Sequence, residues 1–277
     1  YMAHSKMTAG NNDVAVLVGD GSTTATARLS LALAQTVDSS VTAGTLVWSK
    51  NACHLIGMTA PTAVGNRARL APPTGTYTQA TFGSGNFVTV SASGCYFYNF
   101  SLFNGFSTGG DNQICWTDSG ARNYYSSIQF GGAGDAASAQ STSSRSMLVS
   151  GGGEHCFDNC TFGLDTVTRT VANATLQFSS GTARSKFRNC VFPFQTSSAD
   201  VIGIVVAAAA GSDRWQLFDR CCFINNVQST STTMSGLATL AASMGGLLLM
   251  KGCTLVGITE FGTDATSRGQ IYVDGAA

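Results

Sequence analysis

The chain has 277 residues, enough for a large core, and its 15 basic and 15 acidic residues cancel. Only 11% of residues are charged, and Ser plus Thr outnumber them about two to one, which excludes the basic stripe that nucleic-acid binding needs. No apolar run reaches the roughly 18 residues of a membrane-spanning helix.

The chain starts at Tyr1 with no charged leader and apolar stretch behind it, so no secretory signal is legible, and the start reads as processed, trimmed or lacking an upstream segment. Asn11-Asn12-Asp13 leads into a strand-like run, Val14–Val18, followed by Gly19-Asp20-Gly21. Residues 23–37, rich in Ala and Leu, predict a short helix that caps the open end of whatever follows. A strand returns at Thr45–Trp48, Cys53–Met58 reads as the first full rung of a repeat, and residues 61–81, with Pro61, Pro72 and Pro73, form a long excursion.

From there a phrase recurs: aromatic, any residue, Asn or a small or polar residue, buried-type residue, any residue, aromatic or Leu. The copies are Phe97–Leu102, Tyr125–Phe130, Phe157–Phe162, Phe187–Phe192, Phe218–Phe223 and Met250–Leu255. Their fourth positions fall at 100, 128, 160, 190, 221 and 253, so the period is close to 30 residues. A second apolar run accompanies each copy: Ile114–Trp116, Met147–Val149, Leu176–Phe178, Ile202–Val206, Leu237–Leu240 and Ile271–Val273. Gly- and Ser-rich segments at 131–146 and 228–236 are loops. A fixed period of this size, β-rich and without long amphipathic segments, predicts an all-β parallel β-helix, right-handed, with about 30 residues per rung. Residues 1–94 form a capped, less regular amino-terminal region and residues 95–277 the regular body, in one continuous domain.

Phe157 and Phe162 both face inward only if the chain bends between them. Asn99, Asn159 and Asn189 supply that bend, because Asn tolerates the left-handed conformation. The bend predicts an inner column of Cys160, Cys190, Cys221 and Cys253 beside stacked aromatics. It also predicts an outer column, Asp158, Arg188, Asp219 and Lys251, alternating in charge, with Thr161 facing out. Nine cysteines without metal-type spacing read as buried free thiols in a reducing compartment.

The stretch from Gly10 to Arg69 carries a strand ending in Gly19-Asp20-Gly21, the block Trp48-Ser-Lys-Asn51, the block His54-Leu-Ile-Gly57 and the tail Arg67-Ala-Arg69. It resembles a group of tailed-bacteriophage structural proteins, which are themselves similar to the pectin-lyase-like right-handed β-helix class. The resemblance covers about 60 residues closely and implies a virion component, typically a trimer, on capsid or tail.

β-Helices of that class are often polysaccharide lyases or hydrolases. A glycosidase needs two carboxylates about 5–5.5 Å or 6.5–9.5 Å apart. Asp158 and Asp219, two rungs apart, come to roughly 9.6 Å. Arg188 between them would lower both pKa values, whereas a general acid needs a raised one. Glu154, His155 and Asp158 follow the Gly151–Gly153 turn, which reads as a corner before a ligand loop. His54 reads as a satisfied, semi-buried histidine. Asp111 and Asp118 flank Trp116, where a sugar could stack. Gly19-Asp20-Gly21 is too short for a phosphate loop. No catalytic, cofactor-binding or metal residue is assigned, and the chain reads as not an enzyme. The expectation is a trimeric phage capsid decoration or cement protein, assembled in the host bacterial cytoplasm. Its partners are copies of itself, the major capsid protein or other virion proteins, without nucleic acid or membrane. Val205–Ala210 and Leu237–Ser243 are the candidate trimer seam. The alternative is a tail fibre or tailspike body that binds or cleaves host surface glycan.

Overall fold

A computed structural model describes residues 2–18, 29–30, 46–71, 86–104, 113–134, 136, 138–226 and 231–274. Three parallel sheets wind the chain into a β-helix. The first sheet has nine strands, in chain order Val14–Val18, His54–Met58, Tyr96–Tyr98, Tyr124–Ser126, Cys156–Asp158, Ser185–Arg188, Trp215–Asp219, Leu247–Lys251 and Ile271–Val273. The second sheet has eight strands, from Leu29–Ser30 to Thr254–Val256, and the third has seven, from Leu46–Trp48 to Ala238–Leu240. Each strand pairs in parallel with its counterpart in the rung before and after, and crossovers of this kind are right-handed.

The recurring phrase is the turn from the first sheet into the second. Its third position is left-handed in every copy: φ is 60° at Asn99, 55° at Ser127, 53° at Asn159, Asn189 and Arg220, and 57° at Gly252. The expected Asn corner therefore holds, and Ser127, Arg220 and Gly252 do the same work. The ladder runs unbroken through it, with the Asn159 N–H donating to the Arg188 carbonyl and Asn189 to that of Asp219, both at 3.0 Å. The bend lets both aromatics of the phrase point inward. One column stacks Phe97, Tyr125, Phe157, Phe187 and Phe218, with successive ring centroids 5.0, 4.7, 4.5 and 4.6 Å apart and planes within 10°. A second stacks Phe130, Phe162, Phe192 and Phe223 at 5.0, 4.8 and 4.6 Å. Each offset pair adds roughly 0.5–1.5 kcal/mol beyond the area it buries.

Cys160, Cys190 and Cys221 are buried in the corner and Cys253 half-buried, and all nine cysteines are free. Three of these thiols donate to the rung before: Cys190 Sγ to the Phe157 carbonyl at 3.7 Å, Cys221 Sγ to that of Phe187 at 3.5 Å and Cys253 Sγ to that of Phe218 at 3.3 Å. Burial pushes the Cys190 thiol well above its usual range, so it stays a neutral, inert filler.

Several expectations need correction. Val14–Val18 already pairs with His54–Met58, so the Cys53–Met58 segment belongs to the second strand of the first sheet. Of residues 23–37 only Leu29–Ser30 lies within the described residues; it is a strand, and the rest of the expected helix lies outside them. A helix at Met2–Lys6 sits at the amino-terminal end instead, with the His4 ring 4.5 Å from Trp48. The excursion from residue 61 contains the strand Arg69–Ala71, and Ile271–Val273 joins the first sheet, whereas the other second apolar runs build the third. In the proposed seam, Val205, Val206, Leu237, Ala238 and Leu240 are buried within the single chain. The buried side chains are consumed by the solenoid, whereas residues 207–210, 242 and 243 of the same segments are exposed.

Candidate functional site

Period-two alternation in the first sheet leaves two outward columns beside the corner. One runs His54, Tyr96, Tyr124, Cys156, Lys186; the other runs Tyr98, Ser126, Asp158, Arg188, Asp219, Lys251. The charge-alternating column is thus in the expected register. Its pairing is more selective than simple alternation. Arg188 holds Asp158 with two bonds, Nε to Oδ1 at 3.0 Å and Nη2 to Oδ2 at 2.6 Å. The Tyr124 hydroxyl donates to Asp158 Oδ2 at 3.3 Å. The guanidinium hydrogen bond, ahead of its charge, holds the Asp158 carboxyl below the usual range. Asp219 is held more loosely: Lys186 Nζ lies 3.9 Å from Oδ2 and Arg220 Nε 3.5 Å from Oδ1. Its side chain is only 12% exposed, and each of these contacts is a single ion pair rather than a clamp.

Toward the amino terminus the same face becomes aromatic. Tyr96 stacks on Tyr98 at 5.8 Å and on Tyr124 at 5.5 Å, and all three rings are half-exposed. On the other flank Trp215, Lys186, Arg184 and Glu154 border an open hollow of about 230 Å³. Glu154 is bridged by Arg122 at 2.7 Å and Arg184 at 2.9 Å, and these hydrogen bonds lower its pKa. A ribbon of stacked tyrosines, a fixed carboxylate–guanidinium pair and a looser carboxylate beside an ammonium suits a sugar chain, which offers C–H faces to rings and hydroxyls to charges.

The remaining sequence candidates separate. His155 points into the solenoid: Nδ1 accepts from the Asn123 N–H at 3.2 Å and lies 3.7 Å from Asp118 Oδ2, and burial lowers its pKa. It does not meet Glu154, which faces out. Asp118 is buried too, accepting from the Tyr125 hydroxyl, the Asn123 amide and the Gly120 N–H. Trp116 is 1% exposed and donates to the Tyr125 hydroxyl at 3.3 Å. The Trp116 and Asp118 sugar platform is therefore corrected: both belong to the core. Asp111 and Gly19-Asp20-Gly21 lie outside the described residues. The Gly151–Gly153 turn is structural, with φ of +83°, +55° and +84°; a Cβ on Gly152 would sit 1.8 Å from the Gly120 carbonyl oxygen. His54 is half-buried and its Nδ1 accepts from the Tyr96 N–H at 3.0 Å, as a satisfied histidine should. Thr161 does face away from the core, yet it is buried, because its hydroxyl donates to the Ala63 carbonyl at 2.8 Å under an overlying loop. Sequence reading missed Tyr96, Tyr98, Tyr124 and Lys186. Counting back by two from each outward position of the phrase would have found Tyr96, Tyr124 and Lys186.

No protein-family model matches the chain. No curated protein matches it either. Solved structures do. A pectin methylesterase in complex with a hexasaccharide aligns with 100% of this chain and 85% of its own, at 14% identity and a TM-score of 0.56. A variant pectin methylesterase in complex with another hexasaccharide gives the same coverage and identity and a TM-score of 0.55. The pectin methylesterase PemA from Erwinia chrysanthemi aligns over 98% of this chain and 91% of its own, at 14% identity and a TM-score of 0.50. The expectation of a protein that is not an enzyme is corrected here, because it took the stacked rod as an argument against catalysis, and these similar rods are enzymes. What the likeness shows is the fold: the chain is a right-handed parallel β-helix.

Proposed function

We propose that the outer face of the first sheet binds a polysaccharide and hydrolyses an ester on it. The observation that carries this is the row Asp158, Arg188, Asp219 with Lys186 beside it and tyrosines on its flank. Glycosidic cleavage by this carboxylate pair is disfavoured, since Arg188 holds Asp158 ionised and no proton donor is left on it. Ester hydrolysis makes different demands. Asp219 takes a proton from water, and the water oxygen attacks the ester carbonyl carbon. The carbonyl electron pair moves onto oxygen, where the Lys186 ammonium and the clamped Arg188 guanidinium stabilise it. Collapse expels the alcohol, which recovers the proton from Asp219. The similarity to esterases solved with hexasaccharides supports the same reading.

The resemblance of residues 10–69 to phage structural proteins supports placing this face on a virion, where the polysaccharide would be host surface glycan. That favours a tail location over capsid decoration. A homotrimer and contacts with other virion proteins belong to the same proposal, and imaging a labelled particle would locate the chain. Acid release at constant pH from methyl-esterified polygalacturonate and from O-acetylated bacterial surface polysaccharide tests the chemistry. Asp219→Asn is expected to lose about 100-fold or more in kcat with the fold intact. Release from neither polymer, or full activity in that variant, overturns the proposal.

A further inference from the structure

A second cavity, of about 290 Å³, lies on the corner beside the Asp158 and Arg188 pair, and the ester reading does not use it. One wall is the solenoid: Ser127, Asn159 and Asn189 at the left-handed turns of three successive rungs, and Val191 just beyond. The other wall is Pro61–Ala63, from the loop that leaves the strand His54–Met58 and lies across later rungs. That loop is fastened at three points. Thr161 Oγ1 donates to the Ala63 carbonyl at 2.8 Å, the Gly65 N–H donates to Gln129 Oε1 at 2.8 Å, and Asn66 Nδ2 donates to Asn99 Oδ1 at 2.7 Å. The chain thus carries a segment some 98 residues along the sequence to roof a groove, which the solenoid alone does not require.

The lining has no Asp, Glu, Lys or Arg. It offers amide and hydroxyl groups, which both donate and accept, and apolar patches at Pro61, Ala63 and Val191. An anionic ligand would find no cation there, and a purely apolar one would strand the Asn side chains. An uncharged pyranose meets both demands, with hydroxyls at its rim and C–H faces above and below. The groove adjoins the reacting row, because Asn159 follows Asp158 and Asn189 follows Arg188 in the chain.

We infer that this corner groove is a subsite for an uncharged sugar unit of the polysaccharide, next to the unit whose ester is cleaved. The inference rests on the ester reading for its role, and its ligand chemistry can be measured separately. D-galactose and D-galacturonate differ only at C6, as hydroxymethyl against carboxylate. In amide NMR spectra of the whole labelled chain, galactose is expected to shift the Asn159 and Asn189 side-chain signals and galacturonate to leave them in place. Val191→Trp, from the solenoid wall, and Thr62→Trp, from the loop wall, should each abolish the shift and raise KM for the polymer about tenfold without lowering kcat. Two variants from opposite walls guard against one misfolding, which thermal unfolding detects. If galacturonate shifts the signals equally, if galactose shifts nothing, or if both folded variants keep the wild-type KM, the subsite is overturned while ester hydrolysis stands. If Asp219→Asn keeps full activity while galactose still shifts the groove signals, the ester reading falls and the sugar site survives.

Discussion

The two sides of the first sheet are built from the same residues in alternation and obey different rules. Inside, position after position repeats one solution: Phe97, Tyr125, Phe157, Phe187 and Phe218 stack with nearly constant spacing. Outside, the neighbouring column changes at each rung, from Tyr98 through Ser126 to Asp158, Arg188 and Asp219. Stacking rewards likeness between rungs, because a flat ring packs best on another flat ring at the strand spacing. A binding face needs differences, because a ligand is recognised by an arrangement of unlike groups. The repeat is thus a scaffold on one side and a display on the other.

Substitutions should separate the two sides. The largest effect is expected inside: Phe187→Ala removes a ring stacked on both neighbours and should cost about 3–5 kcal/mol, read by urea unfolding. A loss below 1 kcal/mol would break the comparison, since the column would then not be a major support. Asp219→Asn, outside, should do the reverse, losing activity with little change in unfolding midpoint. At the hinge between the sides, Asn159→Val places a β-branched residue at φ 53° and should cost about 1–2 kcal/mol. An unchanged midpoint would show that the corner tolerates any residue.

pH gives the smallest and gentlest separation. Burial lowers the His4 pKa to about 4, and burial likewise lowers that of His155. The unfolded chain takes up these protons near pH 6.5, about the ordinary histidine value, while the folded chain does not. Their contribution to stability is therefore full above that pH and is lost as pH falls toward the folded values. Asp158 has the opposite chemistry and a different window. Its lowered pKa stabilises above about 3.9, the ordinary aspartate value, and that contribution is lost only in stronger acid. Urea midpoints measured from neutral pH downward should decline first from the histidines, and His4→Gln should flatten that first decline. A flat profile down to about pH 4.5 would refute the assignment.

Most of the fold was legible because the corner is local. A left-handed turn needs a particular residue class, the phrase supplies it once per rung, and inward aromatics follow from it. The thiol column and the register of Asp158 with Arg188 and Asp219 came from the same step. The amino-terminal end was less legible. Val14, Val16 and Val18 alternate as a half-exposed strand should, yet they lack the phrase, so the rung they form went uncounted. The Trp116 and Asp118 pair was misplaced because a Trp close to an Asp reads as surface unless the turn that folds their partners back over them is recognised. Asn123 and Tyr125 supply most of that network from the very next strand, and His155 adds to it from the following rung.

The sequence by itself determined the period, the corner and which residues point inward, since each depends on neighbours within one turn of chain. Tertiary structure alone decided which carboxylate is clamped by two bonds and which is held by looser ion pairs. Arg188 chooses Asp158 over Asp219 by side-chain geometry that equal rung spacing leaves undecided. It also decided that the loop at Pro61–Ala63 roofs a groove on rungs far along the chain, because a contact across 98 residues leaves no local periodicity to read.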